Sequence, residues 1–270
     1  MPLIEISEAA YNAAPGIRRS TLFQMSRSPA HYKWALDNPS KDTPALQFGR
    51  ALHCAVLEPD KFDSAFAVGP TVSRATKAGR EAWEKFEADA AGREIISQGD
   101  YDKIMGMRDS IMSHPMACAL LGGEHEKSFF WKDELTGLDC KVRADALLAL
   151  EDRIVISDVK TCTDASTEAF MREAIKYGYD FQSGMYTEGV SVCSGMETEF
   201  VFIAVEKAPP YSVNVLAADK YFILRGKDLF REYLGRVAEC ESTGNWYQYN
   251  GANGDMNDLK LPGYLQKEYE

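Results

Sequence analysis

Apolar positions in the first third of the chain recur at helical spacing, punctuated by residues that start helices. Ser20 is placed to cap a short helix whose Leu22, Phe23 and Met25 face inward. Ser28-Pro29 opens a second helix, with proline at the first helical position, running through Tyr32 and Trp34 toward Pro39. Thr43-Pro44 repeats the device, and Leu46, Ala51, Leu52, Val56 and Leu57 form a stripe that ends before Glu58-Pro59. Residues 69–80 are polar, basic and weakly patterned, and read as a flexible loop. Helices are expected around 80–90 and 98–113.

The pattern then changes. Glu126 to Trp131 reads as a strand, Leu138 to Leu150 begins with period-two alternation, and Arg153 to Lys160 contains the apolar run Ile154-Val155-Ile156. Two helical stretches follow at 166–176 and 179–193, then strand-like runs at 199–205 and 211–216 and a last helix over roughly 219–241. This order predicts an α+β (α/β-like) fold, a mixed central sheet flanked by helices with a helical N-terminal part. No repeat, low-complexity tract or Ser/Gly linker divides the chain, so a single domain over 1–270 is expected. Within it, 1–120 would be mainly helical, 121–245 would carry the sheet, and 246–270 would form a polar tail.

Composition adds limits. With 45% hydrophobic residues the chain can bury a core without metals or disulfides to hold it. The six cysteines are scattered, with no zinc-ligand spacing, which suits free thiols in a reducing cytoplasm. The N-terminus lacks a secretory pattern and no run is long enough to span a bilayer, so a cytoplasmic protein with no membrane partner is expected. A net charge of −11 argues against a surface that coats itself with nucleic acid, although a channel needs only locally clustered Arg and Lys.

Candidate chemistry begins with a carboxylate two residues before a lysine, which puts both side chains on one face of a strand. The spacing occurs at Asp139/Lys141, Asp158/Lys160 and Asp258/Lys260. Asp258 and Lys260 lie in the polar tail and read as surface. Asp158 and Lys160 end a strongly apolar strand, so the pair is expected at the rim of a buried sheet. In the preceding strand Leu138, Cys140, Val142 and Ala144 form one face and Asp139, Lys141, Arg143 and Asp145 the other. If the two strands are neighbours, Asp145 approaches Asp158, and two carboxylates with a lysine make a hard-oxygen site of the kind magnesium prefers.

The ordered set of Pro15-Gly16-Ile17, Ser28-Pro29-Ala30-His31-Tyr32, Phe48-Gly49-Arg50-Ala51-Leu52-His53, Leu57-Glu58-Pro59, Glu126, Trp131, Arg143-Ala144-Asp145, Asp158-Val159-Lys160-Thr161, Gln182 and Tyr186 resembles the PD-(D/E)XK nucleases. It is most similar to their phage and prophage RecE (exonuclease VIII) branch. It departs from the superfamily's name at Ala144, where many members have proline, and uses Asp rather than Glu at 158.

Some members of the superfamily carry an iron–sulfur cluster on clustered cysteines, and the scattered cysteines here do not match that, so none is expected. The resemblance implies a Mg2+-dependent exonuclease, with Mn2+ able to substitute and no nucleotide cofactor. Its metal ligands would be His53, Asp145, Asp158 and the Val159 carbonyl, with Lys160 orienting or deprotonating water or steadying phosphate oxygens. His53 read alone is better taken as a core or cap histidine, and Glu126 is either a further carboxylate near the metal or a strand-surface residue. Gln182 and Tyr186, four apart, share a helical face that would lie beside the active site or be an amphipathic edge. Arg74, Lys77, Arg80, Lys141 and Arg143 are candidate phosphate contacts, and Arg19-Ser20 at a helix start a candidate seat for a terminal phosphate. RecE likeness also implies double-stranded DNA ends as substrate, 5′→3′ polarity, a ring-shaped oligomer and a RecT-type annealing partner.

Overall fold

The computed structural model describes residues 6–39, 41–267 and 269. The first part of the chain carries α1 (Glu8–Ala13), β1 (Ile17–Arg18), α2 (Arg19–Leu22, continued by a tighter turn over Phe23–Ser26), α3 (Pro29–Asp37) and α4 (Pro44–Leu57). Next come α5 (Phe62–Ala65), β2 (Phe66–Val68), α6 (Lys77–Asp89), β3 (Glu94–Ile96), α7 (Gln98–Ser113) and α8 (Pro115–Leu120). The sheet strands and their helices follow as β4 (Glu124–Lys132), β5 (Asp139–Ala149), β6 (Arg153–Cys162), α9 (Thr167–Tyr177), α10 (Tyr179–Ser194), β7 (Glu197–Glu206), β8 (Val213–Ala217) and α11 (Lys220–Thr243). A short α12 (Gly263–Gln266) lies in the tail. No helix among the described residues is long and apolar enough to cross a membrane.

The helix starts follow their caps. The Ser28 and Thr43 hydroxyls accept the backbone N–H groups of His31 and Leu46, and Pro29 and Pro44 occupy the first turns, where the missing N–H costs nothing. Ser20 does not cap a helix. Arg18 holds that position without a side-chain bond, and Ser20 sits exposed inside α2, while Leu22 and Met25 are fully buried as their spacing predicts.

Residues 69–80 are not a flexible loop throughout. Thr76 caps α6 by accepting the Gly79 N–H, so Lys77 and Arg80 are in its first turn. Trp83 Nε1 donates to the Val72 carbonyl (2.9 Å) and the Arg74 guanidinium lies 3.9 Å over the Trp83 ring, fixing the preceding segment. The small parallel pair β2–β3 and helix α8, whose N-terminus is capped by His114 Nδ1, carry no pattern long enough to be foreseen.

Six strands form one mixed sheet. β4 pairs antiparallel along one edge of β5, from Lys132↔Asp139 to Glu124↔Leu147. The other edge of β5 is shared: β1 takes Cys140 and Lys141, and β6 takes Ala146 to Ala149. β6 then pairs parallel with β7 over its whole length, and β7 antiparallel with β8. Asp158 is therefore inside β6 rather than at its end, because β7 carries that strand on to Cys162↔Glu206.

Helices cover both faces. On one, Phe181, Met185 and Val190 of α10 and Phe230, Leu234 and Val237 of α11 pack on Cys140, Val142, Ala144, Ile156, Phe200 and Phe202. Gly184 and Gly226 let α10 and α11 cross backbone to backbone; a Cβ at Gly184 would meet Gly226 at 2.2 Å. On the other face Ala51, Leu52, Ala55 and Val56 of α4 and Ile104, Met107 and Ile111 of α7 pack on Ala146, Val155, Val159, Val201 and Ile203. Ala144 and Ala146, two apart in β5, thus belong to opposite cores, so the strand's alternation breaks at Asp145. His125 ties the layers together, its ring nitrogens 2.6 and 2.7 Å from the carbonyl oxygens of Leu57, at the end of α4, and Leu121. The tail packs back at its start, where Trp246 stacks on Tyr32.

Candidate metal and active site

The pairing of β5 with β6 stops at Ala146↔Ser157, and the next step would set Asp145 opposite Asp158. The strands part there. Val159, whose N–H and carbonyl face the vacated edge, bonds side chains instead of a strand: its N–H donates to Asp145 Oδ2 (3.0 Å) and its carbonyl accepts from His53 Nε2 (3.0 Å). The gap admits side chains from both layers, His53 from α4 and Gln182 from α10.

With Nε2–H given to Val159, Nδ1 is the ring nitrogen turned to the carboxylates, 3.5 Å from Asp145 Oδ2, and in the neutral ring it offers its lone pair there. On the far side of β5, the β4 ladder skips one step, Glu126 opposite Asp145, and Glu126 takes φ of +54°, the left-handed region that a residue with a side chain rarely occupies. That strained backbone brings the carboxylate inward, and ligand atoms of His53, Glu126 and Asp145 lie within 4.8 Å of one another.

The electrostatics of this trio fit a cation. Burial, and next the charge of Asp158, push the Asp145 carboxyl up to about 7, against the opposing pull of His53 and Lys160. The carboxylates of Asp145 and Glu126 with one imidazole nitrogen form the oxygen-rich, single-nitrogen set that suits Mg2+ or Mn2+.

Asp158 stands just outside the trio and is 3% exposed, not on a solvent-facing rim. Lys160 pairs with its Oδ2 and Gln182 Nε2 donates to its Oδ1. The Lys160 ammonium also lies 5.0 Å over the ring of Tyr179, a residue with no signal in the sequence beyond following the helix-ending Gly178. Tyr186 meets Phe200 edge-on at 6.1 Å, and burial, with Tyr11, Asp158 and Asp145 nearby, raises its hydroxyl pKa far above the usual value. Gln182 is 5% exposed, so Gln182→Leu would strip a buried carboxylate of its neutral donor. That variant is expected to lose about 1–3 kcal/mol of stability, read by denaturant unfolding, while Gln182→Glu loses more through like-charge repulsion.

Of the candidate phosphate contacts, Lys141 and Arg19 are committed to backbone carbonyls, and the others each have a nearby protein partner. Lys141 is buried, with Nζ donating to the carbonyls of Tyr11 (2.7 Å) and Ala14 (2.5 Å), and burial lowers its pKa; it anchors α1 and does not face a ligand. Arg19 donates to the carbonyls of Tyr177 and Gly178 where α9 meets α10, and Ser20 lies in a four-residue helix, so no terminal-phosphate seat forms there. Arg74 lies beside Glu87, Lys77 is 3.9 Å from Glu81 and Arg80 donates to the Ala75 carbonyl; all three side chains stay on the surface. Arg143 pairs with Glu126.

A family model described as "PDDEXK-like domain of unknown function (DUF3799)" matches residues 19–254. The chain belongs to this PDDEXK-like family. A crystal structure described as a "Putative exonuclease" from Eubacterium rectale superposes on the PDDEXK-like chain with a TM-score of 0.63 at 12% identity, covering 98% of each, which establishes a shared fold. A second structure, described as SSO0001, covers 57% of this chain and 70% of its own at 13% identity and a TM-score of 0.29. No curated protein matches. The matched span takes in His53, Glu126, Asp145, Asp158 and Lys160.

Proposed function

We propose that the protein is a divalent-metal-dependent exodeoxyribonuclease that degrades linear double-stranded DNA, 5′→3′, and leaves single-stranded 3′ overhangs for recombination. The observation that carries this reading is the gap itself: His53, Glu126 and Asp145 converge on one point, beside an Asp158–Lys160 pair two residues apart on one strand. His53 through Nδ1, Asp145 and Glu126 would hold the metal, with Asp158 and the Val159 carbonyl adjoining. When bound, the metal supplies Lewis acidity toward the phosphate and toward water.

The chain's own residues do the rest. Asp158 holds the Lys160 ammonium by charge, and Gln182 fixes the carboxylate's plane, so the ammonium keeps one position from which to donate to water or to a phosphate oxygen. Tyr179 beneath it excludes water from one side. The RecE resemblance supports DNA ends as substrate, and with it a ring-shaped oligomer, a RecT-type annealing partner and a cytoplasmic location. The exonuclease description of the Eubacterium rectale structure points the same way.

Linear duplex labelled at its 5′ ends, digested beside a covalently closed circle in Mg2+, tests the reading. Early release of the 5′ label with the circle intact is expected. Cutting of the circle would make the protein an endonuclease of the same superfamily, and label retained while the other end shortens would reverse the polarity.

A further inference from the structure

Arg143 differs from the other cations near the site. It lies in β5 two residues before Asp145, and its side chain is 14% exposed. Its Nε donates to Glu126 Oε2, while its Nη1 is buried and meets no acceptor. A guanidinium carries five donors in a rigid plane, and a buried N–H left without an acceptor is a net cost to the fold. Arg19 also leaves a buried nitrogen, Nε, unpartnered, but two backbone carbonyls fix its guanidinium as a structural clamp. Among the described residues Arg143 has one carboxylate partner, and that partner belongs to the metal trio.

Its surroundings are continuous with the site. The charge of Arg143 reaches Tyr11, and Tyr11 is in turn an electrostatic neighbour of Tyr186, which also faces Asp145 and Asp158. The unused Nη1 belongs to a side chain two residues before Asp145 on β5 whose one carboxylate partner is in the metal trio, so an anion entering at that trio is a candidate for the missing acceptor. Glu126 with one oxygen on Arg143 keeps its other oxygen for a cation.

We propose that Arg143 is a substrate-contacting residue: Nη1 takes a non-bridging oxygen of the phosphodiester at the metal trio, while Nε holds Glu126 in place. This rests on the nuclease reading above. Arginine suits the double task because its planar fork serves two anions at once, which a lysine ammonium at the same place cannot do with the same geometry.

The experiment measures binding of a 5′-labelled duplex by fluorescence anisotropy with Ca2+ in place of Mg2+, for wild type, Arg143→Met and Arg143→Lys. Each is tested on an all-phosphodiester duplex and on one with a neutral methylphosphonate at the linkage next to the label. Calorimetry with Mn2+ alone, without DNA, gives each variant's metal affinity. Wild type is expected to lose about tenfold in affinity for the methylphosphonate duplex, and Arg143→Met to bind the normal duplex about tenfold more weakly with no further loss from the methylphosphonate. Arg143→Lys should fall between, which keeps the comparison available if the Met variant does not fold. Mn2+ affinity should stay within about threefold of wild type in Arg143→Lys, which keeps a cation beside Glu126, and is expected to shift more in Arg143→Met, which releases Glu126.

A variant that loses Mn2+ affinity yet pays the full methylphosphonate penalty would make Arg143 only a support for Glu126, overturning the inference. So would undiminished DNA affinity in Arg143→Met while wild type cleaves normally. If wild type neither binds nor shortens DNA, the nuclease reading itself falls, and the inference with it.

Discussion

Asp145→Asn is expected to cut hydrolysis by about a thousandfold or more and, without metal above pH 7, to make the protein more stable. The first effect follows because the substitution removes a ligand charge from the trio, and Lewis-acid assistance is worth several kcal/mol at about 1.4 kcal/mol per tenfold in rate. The second follows from the raised Asp145 pKa of about 7. Between the unfolded carboxyl value near ~4 and the folded value, the native state holds a proton that the unfolded state has lost. Metal-free stability of wild type therefore falls as pH rises through that window and levels off above it. Asn carries no charge, so its advantage in melting temperature should grow from pH 4 to pH 7 and then stay constant. Added Mn2+ should raise the melting temperature of wild type at pH 8 and leave the variant nearly unmoved. Parallel pH profiles for the two proteins would remove Asp145 from the cluster's charge balance.

Lys160 gives the second large effect. Lys160→Met leaves Asp158, 4% exposed at its side chain, with only the Gln182 amide as partner. Breaking such a pair from one side costs about 3–5 kcal/mol, so this variant should be poorly stable as well as inactive. Lys160→Arg keeps the charge, but the planar guanidinium cannot occupy the position between Asp158 and the Tyr179 ring as a compact ammonium does. A fall on the order of a hundredfold in kcat with little change in melting temperature is expected. Full activity in Lys160→Arg would reduce the residue's role to generic charge.

Local signals made most of the elements legible. Ser28-Pro29 and Thr43-Pro44 marked helix starts through their hydroxyl caps, and Ile154-Val155-Ile156 marked a strand with both faces buried. Asp158 and Lys160 were found by their spacing together with the apolar run just before them, signals that lie within a few residues of each other. What stayed hidden depends on distant partners. Asp158 read as a strand end because its polarity interrupts an apolar run, yet β7 extends β6 past it. The gap that brings Asp145 to Val159 exists because pairing with β6 stops at Ala146, and no local pattern records that.

Lys141 shows the opposite failure. Alternation put it on the outer face, where a lysine ordinarily meets solvent, but the N-terminal helix covers that face and offers two free carbonyls to the ammonium. Glu126 was ambiguous for a similar reason: its inward turn rests on a left-handed backbone angle that the sequence around it, His125-Glu126-Lys127, does not advertise. Thr76 is a plain cap signal, obscured by the Gly79 that follows, and missing it placed Lys77 and Arg80 in a loop.

Anomalous diffraction from a crystal soaked in Mn2+ tests the central claim, that the parting of β5 and β6 builds a metal centre. A peak is expected within coordination distance of His53 Nδ1 and of carboxylate oxygens of Asp145 and Glu126, with the Lys160 ammonium close by but not bound to it. A soaked crystal with no peak between these residues, or with the ion held only at surface carboxylates, would contradict the account.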